Sequence, residues 1–317
     1  MKYRHEHHAG NFADVHKHVT LLALLDALKR KDKGFLYLET HAGRGAYDLS
    51  GPPGESAAGI ARLDTQHLAG VEEPSVAEEI RNYLATVRQL RRERGEPRLY
   101  PGSPLLAVSA LRPVDRAVLI ERLPAEARAL ERALYGQAHG RARPPQVAES
   151  PAKTTLFARD GAVRSRRSPD PAHIRVQTGD GFERLRAWLP PPERRGLTFI
   201  DPPYEDSRQD FERARHSAAE ALRRFRTGVV AIWYPIKDER DTAAWHAALA
   251  GELDCSLLAA ELSLYPRDSR VALNGSGMLI LNPPYRLGER MQVWLPQLHA
   301  CLDLGHGGGG SVRYLKP

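Results

Sequence analysis

Residues 197–206 read LTFIDPPYED, an apolar run that ends in an acid, two prolines and a tyrosine. A near-copy, MLILNPPYRL, occupies 278–287. Proline cannot donate to a sheet ladder, so each strand-like run must stop at its Pro-Pro pair. The first end then holds a carboxylate (Asp201), an unpaired carbonyl (Pro202) and an aromatic ring (Tyr204) in one rigid turn. That set suits an exocyclic amine conjugated to a purine ring. Such a nitrogen is a poor nucleophile. It needs two acceptors for its hydrogens, to localise its lone pair, and a flat surface on which an extruded base can stack.

Outward from this stretch, strand patterns recur at 35–39, 117–121, 173–179, 228–235, 257–265 and 277–282. Helical patterns separate most of them, at 124–135, 181–188, 206–226 and 241–251. A further helix is expected over 12–30, from the spacing of Val15, Val19, Leu22, Leu25 and Leu28. Apolar strands alternating with helices predict a mainly parallel sheet covered on both faces. The last two strands flank a turn-rich stretch with no helix, so they should pair as an antiparallel hairpin. Between 48 and 100 the texture changes. A helix is expected over 75–95, with Ser75 and Glu78 spaced as a capping box and Gly95 as its stop. Its RQLRRER run reads as a solvated face or as an RNA contact. Residues 139–172 hold five prolines and seven Lys/Arg without apolar periodicity, which reads as a basic, Pro-rich loop.

In an open α/β sheet, ligands sit at the carboxyl ends of the parallel strands. Besides Asp201, three such ends are distinctive. Glu39 to Gly45, ETHAGRG, is either a plain tight turn or a place where a ligand meets the backbone. Glu121 could bind a ribose diol or start a helix. Asp180, before Gly181, could cap a helix or accept from an adenine amino group.

Composition narrows the classes. A formal charge of +7 and a pI near 9.5 favour a polyanionic partner. Two distant cysteines, Cys255 and Cys301, with no CxxC, predict a reducing compartment and no structural zinc. The histidines at 5, 7, 8, 16 and 18 lack cysteine partners and HExxH spacing, so no metal is expected. The N-terminus carries no signal-like apolar stretch, and no run is long enough to span a bilayer. A cytoplasmic protein is expected.

Several blocks together resemble one family: YRH and HAGNFADVHKH at the start, FLYLETHAGRGAY, YPGSPLLA at 100–107, GDGF, RRGLTFIDPPYE, ALRRFRTGVVAIWYP and SGMLILNPP. They look like the large-subunit (23S) ribosomal RNA adenine N6 methyltransferases, the ribosomal RNA large subunit methyltransferase J family. Asp/Asn-Pro-Pro-Tyr alone marks amino-methyltransferases more broadly. The opening block and YPGSP are specific to the family, and the likeness covers nearly the whole chain.

The resemblance implies a single Rossmann-like S-adenosylmethionine-dependent methyltransferase domain over 1–317. Its sheet would run 3-2-1-4-5-7-6 with strand 7 antiparallel, and 48–100 would be a helical insertion. The cofactor pocket would include His18, His41, Ser103, Glu121, Asp180, Gly181 and Asp201, with Lys17 adjoining. Asp201 would be catalytic, with Pro202 and Tyr204 completing its turn. Tyr3 would reach the RNA, and its neighbours Arg4 and His5 can also stack or contact phosphate. Asn282 would follow strand 7 on the opposite rim, roughly a strand length (~17–20 Å) from Asp201. That would make the second motif a strand terminator without a catalytic partner. The expected partner is large-subunit ribosomal RNA, and the expected state a monomer. A DNA adenine methyltransferase and a silent RNA-binding assembly factor are the alternatives. The chain departs from the family at Glu121-Arg122-Leu123-Pro124, where the pattern is Glu-Leu-His-Pro. The 139–172 stretch has no counterpart in the family.

Overall fold

The computed structural model describes residues 8–51, 54–68, 76–136, 173–266, 269, 271 and 273–317. Tyr3, Arg4, His5, Ser75 and the 139–172 stretch lie outside these. The chain begins with α1 (Phe12–Lys29), β1 (Leu36–Glu39) and β2 (Ala46–Asp48), then α2 (Ile60–Leu68), α3 (Glu78–Arg94) and β3 (Leu99–Pro101). Next come α4 (Ser103–Ala110), β4 (Arg116–Glu121), α5 (Pro124–Tyr135), β5 (Ile174–Thr178) and α6 (Gly181–Arg184). The second half holds β6 (Gly196–Ile200), α7 (Ser207–Arg224), β7 (Val229–Ile236), α8 (Glu239–Glu252), β8 (Leu257–Ser263), β9 (Gly275–Leu281), α9 (Leu287–Leu302) and β10 (Gly309–Lys316).

Eight strands form one sheet in the order β10-β8-β9-β7-β6-β1-β4-β5. From β5 to β7 all pairings are parallel, and β9 and β10 run antiparallel to their neighbours. The β8–β9 hairpin expected from the turn-rich spacing is present. The central strands β1 and β6 are buried at every residue, as near-continuous apolar runs require when helices cover both faces.

Several elements escape sequence patterns. β10 is glycine-rich, and α9 carries Pro296 in its interior, a residue that ordinarily argues against a helix. β2 and β3 are three residues each and pair into a separate ribbon. The helix expected at 75–95 starts at Glu78, with Ala77 as its N-cap and no side-chain cap. The Ser75 half of the expected capping box lies outside the described residues. Gly95 ends the helix in the left-handed conformation, its N–H reaching the carbonyls of Arg91 and Arg92, as its sequence position predicted.

α1 is the helix that positions the site. Asn11 caps it by accepting from the Asp14 N–H at 2.9 Å. It is buried without a break from Phe12 to Leu25, against α3, α4, β9 and α9. An amphipathic stripe is expected of a surface helix. This one is enclosed, and its polar residues are buried with it.

The two Pro-Pro-Tyr ends fall on opposite rims. Asp201 follows Ile200, which pairs with Ile232 in β7. Asn282 follows Leu281, which pairs with Val230 at the start of β7. Both turns use the left-handed region, at Tyr204 (φ 52) in the first and at Asn282 (φ 52) and Arg286 (φ 60) in the second. Asn282 Nδ2 donates to the carbonyls of Arg226 and Gly228, at 2.8 and 2.9 Å, and so ties the β9 end to the entry of β7. Asn282→Ala should lose both bonds and strain an alanine backbone, lowering stability by about 1–3 kcal/mol. Asn282→Gly should lose less, because glycine tolerates that φ. Urea unfolding measures both, and turnover should be unchanged in each.

Candidate active site

Asp201 stands at the carboxyl end of β6, where the first proline pair stops the ladder. Its side chain is 11 % exposed, and Oδ2 accepts from Lys17 Nζ at 2.6 Å. Lys17 Nζ also meets Asp14 at 2.9 Å, one turn earlier on α1. Burial alone would lower the Lys17 pKa. The two carboxylates more than offset it and hold the ammonium above the ordinary lysine range. A fixed positive charge therefore sits beside the acid of the motif.

A flat wall adjoins this triad. Lys17 Nζ lies over the Trp233 ring, 5.3 Å from its centroid. Tyr204 was expected to offer its ring to a base. Instead it is 3 % exposed, with its hydroxyl donating to the Trp233 carbonyl at 2.7 Å and its ring against Phe211 at 4.7 Å. This corrects the stacking role in this conformation: Tyr204 pins the turn to β7. Its counterpart in the second motif, Tyr285, is 86 % exposed.

The neighbouring strand ends complete a row of acids. At the end of β1, buried Glu39 accepts from Ser103 Oγ at 2.5 Å and from Tyr37 Oη at 3.0 Å. Ser103 begins α4 and is buried, so YPGSP delivers its hydroxyl to the glycine turn from the side. At the end of β4, Glu121 accepts from the N–H groups of Gly43 and Leu123, at 2.8 and 2.7 Å. It thus clamps the glycine turn to the sheet. Burial raises its pKa against those hydrogen bonds. After β5, Asp180 caps α6 through the Phe182 N–H at 3.0 Å and receives Arg213 at 2.6 Å. Of the two roles left open for it, the cap is present. Burial would raise its pKa, but Arg213 and the helix N–H groups bring it below the usual carboxylate value. A Cβ on Gly181 would sit 1.8 Å from the Thr40 carbonyl, so only glycine lets the two turns meet.

His41 is half-buried, with Nδ1 at 2.8 Å from Thr40 Oγ1 and its ring edge-on to Phe182 at 4.6 Å. Burial pushes its pKa well down, reinforced by Arg213 and Arg122 and opposed by Asp180. His18 is 1 % exposed, with Nδ1 at 2.9 Å from Tyr100 Oη and its ring beside Tyr83. His18 therefore braces α1 against α3 and β3. Asp14, Trp233 and Arg213 joined the site without being singled out from sequence, and Glu39 was read only as the first residue of the ETHAGRG turn. The i, i+3 spacing of Asp14 and Lys17, and the tryptophan late in VVAIWYP, were the available signals. Among the described residues, no group of three or more His, Cys, Asp or Glu side chains is arranged to hold a metal ion. No described helix is long and apolar enough to cross a membrane.

Glu39 makes a testable acid–base prediction. Burial pushes its pKa up to about 8, from 4.5, despite the hydrogen bonds from Ser103 and Tyr37 and the nearby Lys17. The folded chain then binds more protons than the unfolded chain between those values. The associated stability is full below the unfolded pKa and is lost as pH rises through the folded one. Glu39→Gln is neutral at every pH, so its Tm should fall less across this window. Thermal melts from about pH 4 to about pH 9 check it.

Comparison with known proteins shows the family. The family model for Ribosomal RNA large subunit methyltransferase D, RlmJ, matches residues 32–146 and 147–315. Ribosomal RNA large subunit methyltransferase J of Escherichia coli is 34 % identical over 321 positions, covering 100 % of this chain and 99 % of that protein. The protein of the same name from Haemophilus influenzae is 33 % identical over the same coverage. A crystal structure of a Legionella pneumophila protein superposes with a TM-score of 0.75 at 31 % identity, covering 97 % of both chains. With the family model matched over most of its length and full-length similarity to these relatives, the chain belongs to the ribosomal RNA large subunit methyltransferase D, RlmJ, family.

Proposed function

We propose that this protein transfers the methyl group of S-adenosylmethionine to N6 of an adenine in large-subunit (23S) ribosomal RNA. The observation that carries the reading is the Asp201 turn, held at the carboxyl end of β6 by buried Lys17 and Tyr204. With β1 as strand 1, the sheet reads as 3-2-1-4-5-7-6, and β10 adds an eighth strand beside strand 6. Residues 48–100 act as a helical insertion whose ends the β2–β3 ribbon draws together.

The residues fit the cofactor chemically. Glu121 offers carboxylate oxygens to a ribose diol, and Asp180 to an adenine amine. His41, Gly181 and Ser103 shape the pocket between them, and Lys17 with Asp201 borders it. His18, adjoining Lys17 on α1, belongs to the same pocket and is held in place by Tyr100. Bound S-adenosylmethionine supplies an electrophilic methyl group, so no metal is required. The chain's task is to prepare the nucleophile. Asp201 and the Pro202 carbonyl accept the two amine hydrogens, which turns the N6 lone pair out of conjugation. Once N6 had taken the methyl group and the sulfonium had left as a neutral thioether, the nitrogen's surplus proton would pass to the Asp201 carboxylate. Lys17 keeps that carboxylate ionised and oriented until then.

Tyr3, Arg4 and His5 precede α1 and carry an aromatic ring, a guanidinium and an imidazole in succession. In this reading they close over the flipped adenine. The protein works as a cytoplasmic monomer on its ribosomal RNA. The 139–172 stretch, with seven Lys/Arg against three acids, adds phosphate contacts.

Asp201→Ala should leave cofactor affinity largely intact in calorimetry and cut methyl transfer at least ~100-fold. Near-normal turnover would remove Asp201 from the mechanism. Deleting 139–172 should flatten the salt dependence of RNA binding while preserving the choice of base. A filter-binding series in rising salt measures the slope. Mapping N6-methyladenine in 23S ribosomal RNA, with and without the protein, tests the substrate itself.

A further inference from the structure

We propose that Trp233 is a positioning residue for methyl transfer: its indole, pinned from behind by Ser276 and His16, holds the Lys17 ammonium against Asp201. The inference rests on the reading above and adds a residue to it. Trp233 lies in the last half of β7, the strand beside Asp201. Its ring face receives Lys17 Nζ at 5.3 Å, within the range of a cation–π contact. Lys17 and Asp14 side chains are each 4 % exposed, so water screens the contact little.

The ring cannot swing freely. Its Nε1–H donates to Ser276 Oγ at 2.9 Å, across the β7–β9 ladder. Ser276 is fully buried, and its hydroxyl meets His16 Nδ1 at 3.0 Å and the Ala13 carbonyl at 3.5 Å. His16 is itself fully buried on α1, immediately before Lys17. The chain of contacts therefore starts and ends on α1. It passes through β9 and β7 and fixes the indole relative to the helix that carries the ammonium. The same tryptophan holds the DPPY turn, because its carbonyl accepts from Tyr204 Oη at 2.7 Å. One residue thus sets both partners of the Lys17–Asp201 pair, one through its ring and the other through its backbone.

The arrangement has a chemical purpose. When a target amine donates to Asp201, the carboxylate shares its acceptor capacity between that amine and Lys17. Asp14 and the indole keep the ammonium in place through this change. Without the ring, Lys17 has room to follow the carboxylate or to leave it, and Asp201 loses its fixed direction.

The test compares Trp233→Phe, which keeps a weaker ring face, with Trp233→Leu, which removes it, and with Ser276→Ala, which frees the indole. Trp233→Leu should lower kcat about 30-fold, the scale of a desolvated cation–π contact. Trp233→Phe and Ser276→Ala should lose about 3-fold each, because both retain a π face. Cofactor Kd and the KM for RNA should stay within about 2-fold in all three. Trp233→Leu turning over within about 3-fold of wild type overturns the proposal, as does equal impairment of Phe and Leu. Should the leucine variant fail to fold, Trp233→Phe is combined with Lys17→Met and followed by urea unfolding. The two substitutions should be coupled about 3-fold or more in the folding equilibrium, and additive effects overturn the proposal. This coupling needs no activity. Wild-type protein that methylates no ribosomal RNA would instead overturn the functional reading.

Discussion

The arrangement of this protein depends on one buried ammonium. Lys17 is enclosed on a helix with almost no solvent, between Asp14 and Asp201. Removing a charge from water costs several kcal/mol unless partners surround it, and removing one partner leaves an expensive remainder. The pair therefore does little for net stability and a great deal for geometry. It requires α1 to sit at one depth and β6 to end at one place. The α1 cap at Asn11, the packing of α1 under α3, α4 and α9, and the Tyr204 bond to β7 all serve that alignment.

Acidic groups at the adjoining strand ends behave differently because their surroundings differ. Glu121 and Asp180 are both tied by backbone N–H groups, which favour the charged form; with Arg213 they prevail at Asp180, whereas at Glu121 burial still raises the pKa. Glu39 is deeper and receives two hydroxyl groups, so burial dominates. One rim of the sheet thus carries carboxylates in distinct electrostatic settings within a few strands of each other. A charged pair at β6 and an acid at β1 whose pKa burial raises coexist because Lys17 compensates the first more fully than the second.

Much of the central sheet was legible because period and punctuation agreed. FLYLE, AVLIE, LTFID and VVAIWY are short apolar runs with helical stretches between most of them, and each became a parallel strand. The opposite placement of the two Pro-Pro-Tyr turns was implied by the family resemblance, whose strand 7 runs antiparallel. What escaped was decided by tertiary context. A proline inside α9 and glycines in β10 contradict local propensity, and packing against the rest of the sheet overrides them. Tyr204 could not be distinguished from Tyr285 by sequence, since both follow Pro-Pro. Burial against Phe211 and Trp233 separates them. Trp233 read as a strand residue because its partners, Lys17 and Ser276, are more than two hundred and about forty positions away, respectively.

The β2–β3 ribbon has a consequence for how such a chain can diversify. Ala46 faces Pro101 and Asp48 faces Leu99, so the segment between leaves and re-enters at neighbouring points. The ribbon closes that loop at its base. To the main sheet, residues 49–98 are then a cassette: their length can change without altering any strand's register. Their inner surface is less tolerant. Tyr83 on α3 and Tyr100 on β3 press against His18, the residue after Lys17. A lineage is free to lengthen or reshape the outer side of this cassette, provided the side toward α1 keeps its shape.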